Sequence, residues 1–147
     1  MIIADTGFFL ALANQNDQHH AAALAAYDRL TEPLVTTWPV MTETGHLLLN
    51  RLGHGAYMAY LTAWQRGGFT AWPVPDEAAG RICELVNQYR DLPMDLADAS
   101  LVVLAEHLGH GRILSTDYRD FKAVRWKNNK PFSNLMTRGA ALPRESR

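Results

Sequence analysis

Apolar and polar positions along this chain fall into two alternating kinds of block. Short runs rich in β-branched and aromatic residues predict strands at residues 1–5, Leu34–Thr37, Phe69–Val74 and Arg112–Thr116. Between them lie longer segments with helical spacing: Gly7–Asn14, His19–Leu30, Pro39 to about Leu52, Tyr57–Gln65, Pro75 to about Arg90, and Asp95–Leu108. The punctuation agrees. Asp17-Gln18 marks a turn and a helix cap, Pro39 suits a first helical turn, and Gly53, Gly55, Gly67-Gly68 and Gly109 mark breaks. Asp76 and Glu77 give one helix start the charge its dipole favours. Strands alternating with helices predict an α/β fold, a three-layer sandwich with a central parallel sheet of the Rossmann-like kind. Leu101-Val102-Val103-Leu104-Ala105 is apolar on every side, so its helix is expected to be covered on most faces. Beyond Phe132 the periodicity fades, which predicts a single domain over 1–132 and a flexible tail over 133–147.

Composition adds little to this picture, but charge adds an asymmetry. With 147 residues, 48% of them hydrophobic, the chain can bury a core as one domain. Cys83 is its only cysteine and is expected in the core; no internal disulfide can form, which suits a reducing, cytoplasmic setting. No segment has the length of a membrane span, and the apolar N-terminus is interrupted by Asp5, unlike a signal peptide. The net charge of −1 divides unevenly: residues 1–117 hold 6 basic and 13 acidic side chains, residues 118–147 hold 8 and 2. An acidic body repels a polyanion, whereas a basic segment attracts one. Arg119, Lys122, Arg125, Lys127 and Lys130 are therefore candidate contacts to a nucleic-acid backbone, placed near the mouth of a site if the chain crosses the sheet top. A solvated basic segment that only aids solubility is the competing explanation.

The candidate chemistry is acidic. Asp5 and Asp117 each follow a predicted strand, and Glu43 and Asp98 lie in the opening turns of predicted helices. In open α/β sheets those positions converge at the carboxyl ends of the strands. Crowded carboxylates stay ionised only beside a compensating cation. Oxygen-only ligands suit Mg²⁺, with Mn²⁺ able to substitute. Metal-assisted hydrolysis of a phosphodiester is the chemistry this predicts. Each acid also has a local explanation. Asp5 can cap the following helix, Glu43 can complement a helix N-terminus and Asp117 can open a turn. Asp95 and Asp98 have capping-box spacing. Thr6 and Thr116 adjoin the acids and can support them or satisfy local backbone groups.

Four segments, in order, resemble the motifs of PIN-domain nucleases. They are Met1-Ile2-Ile3-Ala4-Asp5-Thr6-Gly7, Val40-Met41-Thr42-Glu43-Thr44, the stretch from Tyr89 to Ala99 with its acid at Asp98, and Ser115-Thr116-Asp117-Tyr118-Arg119-Asp120-Phe121. The resemblance covers roughly residues 1–125 and is closest to the VapC-like toxins of prokaryotic toxin–antitoxin pairs. It implies a PIN-like domain and a Mg²⁺-dependent endoribonuclease acting as the toxin of a type II module. It further implies Asp5, Asp98 and Asp117 as metal ligands, and Glu43 as ligand or orienter of the attacking water; Asp95 is a further ligand or, the reading favoured here, a cap with an outer-sphere role. The implied partners are an RNA substrate, a cognate antitoxin that docks near the acids, and a second copy of the chain. The alternatives are a DNA-directed or housekeeping RNA-processing nuclease on the same fold, and a non-catalytic α/β binding module whose acids are caps.

The remaining signals read as structural. His19-His20 and His107-x-x-His110 lack the spacing of a helical zinc motif, and no Walker A or GxGxxG sequence supports a nucleotide cofactor. Tyr57, Tyr60, Leu61 and Trp64 share one helix and are expected to fill the core, with any exposed remainder favouring a protein partner.

Overall fold

A computed structural model of the chain describes residues 1–127 and 129–136. Five strands, β1 (Ile2–Ala4), β2 (Leu34–Thr37), β3 (Phe69–Trp72), β4 (Arg112–Leu114) and β7 (Ser133–Asn134), form one sheet in the order β3-β2-β1-β4-β7. Every pairing in it is parallel. A separate two-stranded hairpin joins β5 (Arg125–Trp126) to β6 (Lys130–Pro131). The helices are α1 (Thr6–Ala13), α2 (His20–Asp28), α3 (Trp38–Leu52), α4 (His54–Gln65), α5 (Ala79–Gln88), α6 (Leu96–Leu108) and α7 (Tyr118–Ala123), with a 3-10 turn at Asp76–Ala78.

The period-2 alternation of the strands sorts their side chains onto two cores. Ile2, Ala4, Leu34, Phe69 and Leu114 face one cluster with α1 to α4, through Phe8, Phe9, Ala23, Leu48 and Tyr60. Ile3, Val35 and Ile113 face the other, with Leu85 of α5 and Leu101, Val102 and Leu104 of α6. Both faces of the sheet are thus covered, as purely parallel sheets require. The apolar run Leu101–Ala105 is buried throughout because α6 lies between the sheet and α5.

Several expectations are corrected. The 133–147 segment does not begin as a tail: Ser133–Asn134 add the edge strand β7 to β4, and Leu135 N–H bonds Ile113 O at 2.7 Å. A two-residue strand carries too little periodicity to be seen in sequence; residues 137–147 lie outside the described residues. Cys83 is exposed, not core. Ile82 and Leu85 take the inward face of α5, and the next position after Ile82 turns about 100° away. In α4 only Tyr60 is buried; it packs against Phe9 and Phe69, whereas Trp64 is exposed and meets Trp38 edge-on at 5.4 Å. Strand β4 ends at Leu114, not Thr116, because Ser115 leaves the ladder to serve the acids. No helix among the described residues is long and apolar enough to cross a membrane.

Candidate active site

The chain leaves β1 at Ala4 and enters α1 at Thr6, so Asp5 occupies the turn between them. It is the α1 N-cap: its Oδ1 accepts the Phe8 N–H at 3.0 Å. The neighbouring strand β4 leads through Ser115 and Thr116 to Asp117. From β1 the chain winds outward to β2 and β3, then returns to β4 on the other side, so β1 and β4 flank the topological switch point. Ligands of open α/β sheets bind there.

Two helix starts complete the rim. The Thr37 side chain accepts the Val40 N–H at the start of α3, with Pro39 in the first turn. Glu43 follows on that helix and is partly buried. Helix α6 opens with a full capping box: Asp95 Oδ1 accepts the Asp98 N–H at 2.8 Å, and Asp98 Oδ2 accepts the Asp95 N–H at 3.4 Å. Thr37 Oγ1 lies 2.6 Å from Ser100 Oγ, which fastens the start of α3 to the start of α6.

These elements enclose a cavity of about 260 Å³ lined by all five acids, Asp5, Glu43, Asp95, Asp98 and Asp117, and by Thr6 and Thr116. The Thr6 hydroxyl donates to Glu43 Oε1 at 2.9 Å and accepts from Thr44 at 3.2 Å, which holds the Glu43 carboxylate toward the cavity. Ser115 sits between two acids: its hydroxyl donates to Asp5 Oδ2 and accepts the Asp117 N–H at 2.9 Å. A β-carbon at Gly7 would fall 2.0 Å from Thr116 Oγ1, so only glycine lets α1 start this close to the Asp117 loop.

Electrostatics distinguishes Asp5 and Asp98 from ordinary caps. Burial pushes the Asp5 carboxyl up to about 6, against the bonds from Ser115 and Phe8, with Asp117 and Glu43 adding repulsion. Asp98 is pushed up to about 7, by burial first and then by Asp95, with Asp117 adding to it. Among the described residues no lysine, arginine or histidine forms an ion pair with Asp5, Glu43, Asp95 or Asp98. Capping accounts for one oxygen each of Asp5, Asp95 and Asp98. It does not account for Glu43, or for five acids lining one cavity.

The donor set fits a hard divalent cation. Every candidate ligand is an oxygen, and the cavity has room for an ion with its waters. Among the described residues, no three acids or histidines close on a point as a ready-made cage. Mg²⁺ keeps several waters and uses few carboxylates, so an open ring of acids suits it better than a closed cage.

Lys127 and Lys130 are not where the sequence placed them. Arg119 lies in α7, and its side chain is outside the described residues. Lys122 ends α7, and Arg125 donates to Lys122 O at 2.8 Å. The Lys127 N–H donates to Glu106, eight residues beyond Asp98 on α6 and about 12 Å along its axis. Trp126 packs against Gly111, which precedes β4, and Lys130 lies over the Trp126 ring at 5.3 Å. After Asp117 the chain turns down the flank of α6 instead of crossing the sheet top. Lys127 and Lys130 therefore sit toward the end of the sheet opposite the acids.

Sequence reasoning missed Thr37, Ser100, Ser115 and Gly7. Ser and Thr near strand ends are too common to single out. Gly7 shares its motif with Asp5, but its close approach to Thr116 depends on the packing of α1 against the loop after β4.

A model of the PIN domain family matches residues 2–127. Ribonuclease VapC26 of Mycobacterium tuberculosis is 32% identical over 127 residues, covering 84% of this chain and 92% of the relative. The crystal structure of Mycobacterium tuberculosis VapC20, described as a sarcin-ricin loop cleaving toxin, superposes with a TM-score of 0.75 at 22% identity. That match covers 81% of this chain and 92% of VapC20, and at that identity it bears on the fold.

Proposed function

The chain belongs to the PIN domain family, and from that premise we propose that it is a Mg²⁺-dependent endoribonuclease, the toxin of a type II toxin–antitoxin module. One observation carries the reading: five carboxylates line a single cavity at the switch point of the sheet, and burial there raises Asp5 and Asp98 instead of leaving them as ordinary solvated acids. Caps have no need of such a gathering; a cation site does. The similarity to a ribonuclease over most of both chains supports RNA as the substrate class.

In this mechanism Asp5, Asp98 and Asp117 hold the ion. Mg²⁺, with Mn²⁺ as substitute, would supply positive charge that offsets the charge developing on the phosphate and would make an attacking water more acidic. Glu43, held by Thr6, orients that water and takes its proton. Ser115 keeps Asp5 and the Asp117 backbone in register. Thr116 lines the cavity beside Asp117, where its hydroxyl can meet a phosphate oxygen. Lys122 and Arg125, nearer the acids in sequence and space than Lys127 and Lys130, are the stronger candidates for RNA backbone contacts.

A protein partner is the second part of the proposal. Leu24, Tyr27, Leu49, Leu52, Met58 and Trp64 are large exposed apolar side chains on α2, α3 and α4. An apolar cleft of about 290 Å³ opens among Phe9, Leu12, Tyr27, Leu48 and Tyr60. Such surfaces favour protein contacts, and an antitoxin and a second copy of the chain are the occupants proposed here.

The deciding experiment incubates purified protein with matched structured RNA and DNA, with Mg²⁺, with Mn²⁺ and with excess EDTA. RNA cleavage that EDTA abolishes and Asp98→Asn removes is the expected result. Cleavage undiminished after exhaustive chelation overturns the metal mechanism. Preference for DNA overturns the substrate class. Failure of calorimetry to detect Mn²⁺ binding favours the non-catalytic module.

A further inference from the structure

The two strands that carry Asp5 and Asp117 are held at their ends by a residue outside the family-matched segment. Strand β4 stops at Leu114, so the buried peptide groups of Ser115 have no ladder partner on the β7 side. The Asn134 side chain takes that place. Its Oδ1 accepts the Ser115 N–H at 3.2 Å, and its Nδ2 donates to Ser115 O at 2.9 Å. Oδ1 also accepts the Met136 N–H at 3.0 Å, which fixes which end of the amide faces which group. Ser115 in turn bonds Asp5 Oδ2 and the Asp117 N–H. A short chain of hydrogen bonds therefore runs from Asn134 through Ser115 to two of the acids.

We propose that Asn134 is a positioning residue for the acidic site, setting the separation of Asp5 and Asp117 through Ser115. The proposal rests on the reading of those acids as cation ligands. A carboxamide presents an acceptor and a donor to Ser115 on two separate atoms of one planar group; aspartate offers acceptors alone, and alanine neither. An unsatisfied Ser115 peptide in a buried position would turn toward another partner, and the hydroxyl that spaces the two acids would move with it. The edge strand β7 delivers that amide: its ladder is two residues long, and its register puts Asn134 beside Ile113, two residues before Ser115. Supporting groups of this kind typically change metal affinity by about 10- to 100-fold.

The test compares parent, Asn134→Ala and Ser133→Ala by Mn²⁺ calorimetry and by amide hydrogen exchange at Ser115 and Asp117. Ser133→Ala is the control, since Ser133 is exposed and its ladder bond to Gly111 O uses the backbone. The expected result is a loss of Mn²⁺ affinity of about tenfold or more in Asn134→Ala, with faster exchange at both amides and a cooperative melt. Ser133→Ala should match the parent. Faster exchange with parental Mn²⁺ affinity overturns positioning and leaves a structural brace. Unchanged exchange refutes the brace itself. If Asn134→Ala does not fold, Asn134→Asp keeps the acceptor and should show the Asp117 exchange change. Parental exchange at Asp117 in that variant overturns the proposal. Absence of Mn²⁺ binding in the parent refutes the cation reading, and the positioning role with it, while the exchange data still report on the brace.

Discussion

Asp5 is 7% exposed, yet the proposed chemistry requires it ionised. Its carboxyl, raised to about 6, takes up a proton on folding over a range where the unfolded chain has already lost it. The sign follows: without a divalent ion, stability falls as pH rises from about 4 through about 6 for Asp5, and on through about 7 for Asp98. For Asp5 alone that loss is on the order of 3 kcal/mol. Thermal melts in EDTA should show a midpoint that declines across this window, and saturating Mg²⁺ should reverse the decline because the ion binds the ionised acids. Asp5→Asn keeps an acceptor for the Phe8 N–H, and it should flatten the pH dependence and raise the metal-free midpoint at pH 8. Both Asp5→Asn and Asp98→Asn should cut RNA cleavage by more than the roughly 100-fold upper range of supporting groups. A melt in EDTA that is flat from pH 4 to pH 8 would contradict the burial argument. Gly7→Ala is a separate check of the close packing. Its β-carbon must displace the Thr116 hydroxyl, so a loss of about 1–3 kcal/mol is expected in denaturant titration.

Among the elements, the start of α6 separates structure from chemistry within one turn. Asp95 caps the helix and Asp98 reaches back to it, so both are structural, and burial also raises the Asp98 carboxyl. Asp95→Ala should cost about 1 kcal/mol of stability. Asp95→Asn, which still caps, should melt near the parent and retain far more activity than Asp98→Asn; equal inactivation of the two would make Asp95 a ligand. The hairpin β5–β6 makes a second separation. Glu106 and the Gly111 contact hold its Lys127 and Lys130 end toward the far end of α6, whereas the Arg125 side chain reaches back to Lys122 O, so Lys127→Ala/Lys130→Ala should alter RNA affinity and its salt slope less than Lys122→Ala/Arg125→Ala does. Filter binding across a salt series reads the difference, and the reverse ranking would refute the placement argument. The capping-box spacing of Asp95 and Asp98 was legible in sequence because it is local. The path of the chain after Asp117 was not, because it depends on which face of α6 the segment packs against.

For the whole molecule, an acid-lined cavity and an apolar, partly aromatic surface on α2, α3 and α4 ask for different companions, an ion with its polyanion and a protein. A charged substitution on the apolar surface, such as Met58→Glu, should weaken self-association or capture of the product of an adjacent small reading frame. Mn²⁺ affinity should stay within about twofold, because distant sites with no shared partners are close to independent. Sedimentation velocity and calorimetry on the same sample check both halves. Loss of Mn²⁺ binding in that variant would mean that the two surfaces are coupled.

By itself the sequence determined the alternation of strands and helices, the two-sided burial of the sheet, and the four acids at strand ends and helix starts. These are readable because side-chain period and capping are set within a few residues. The Thr6–Glu43 bond, the Thr37–Ser100 clasp and the Asn134–Ser115 brace join residues 37, 63 and 19 positions apart. Only the tertiary structure decided those. The same is true of Cys83 facing out, Ser133–Asn134 closing the sheet and Lys127 and Lys130 lying away from the acids. Each depends on which surfaces meet, and a contact between distant segments leaves no local period in the chain that makes it.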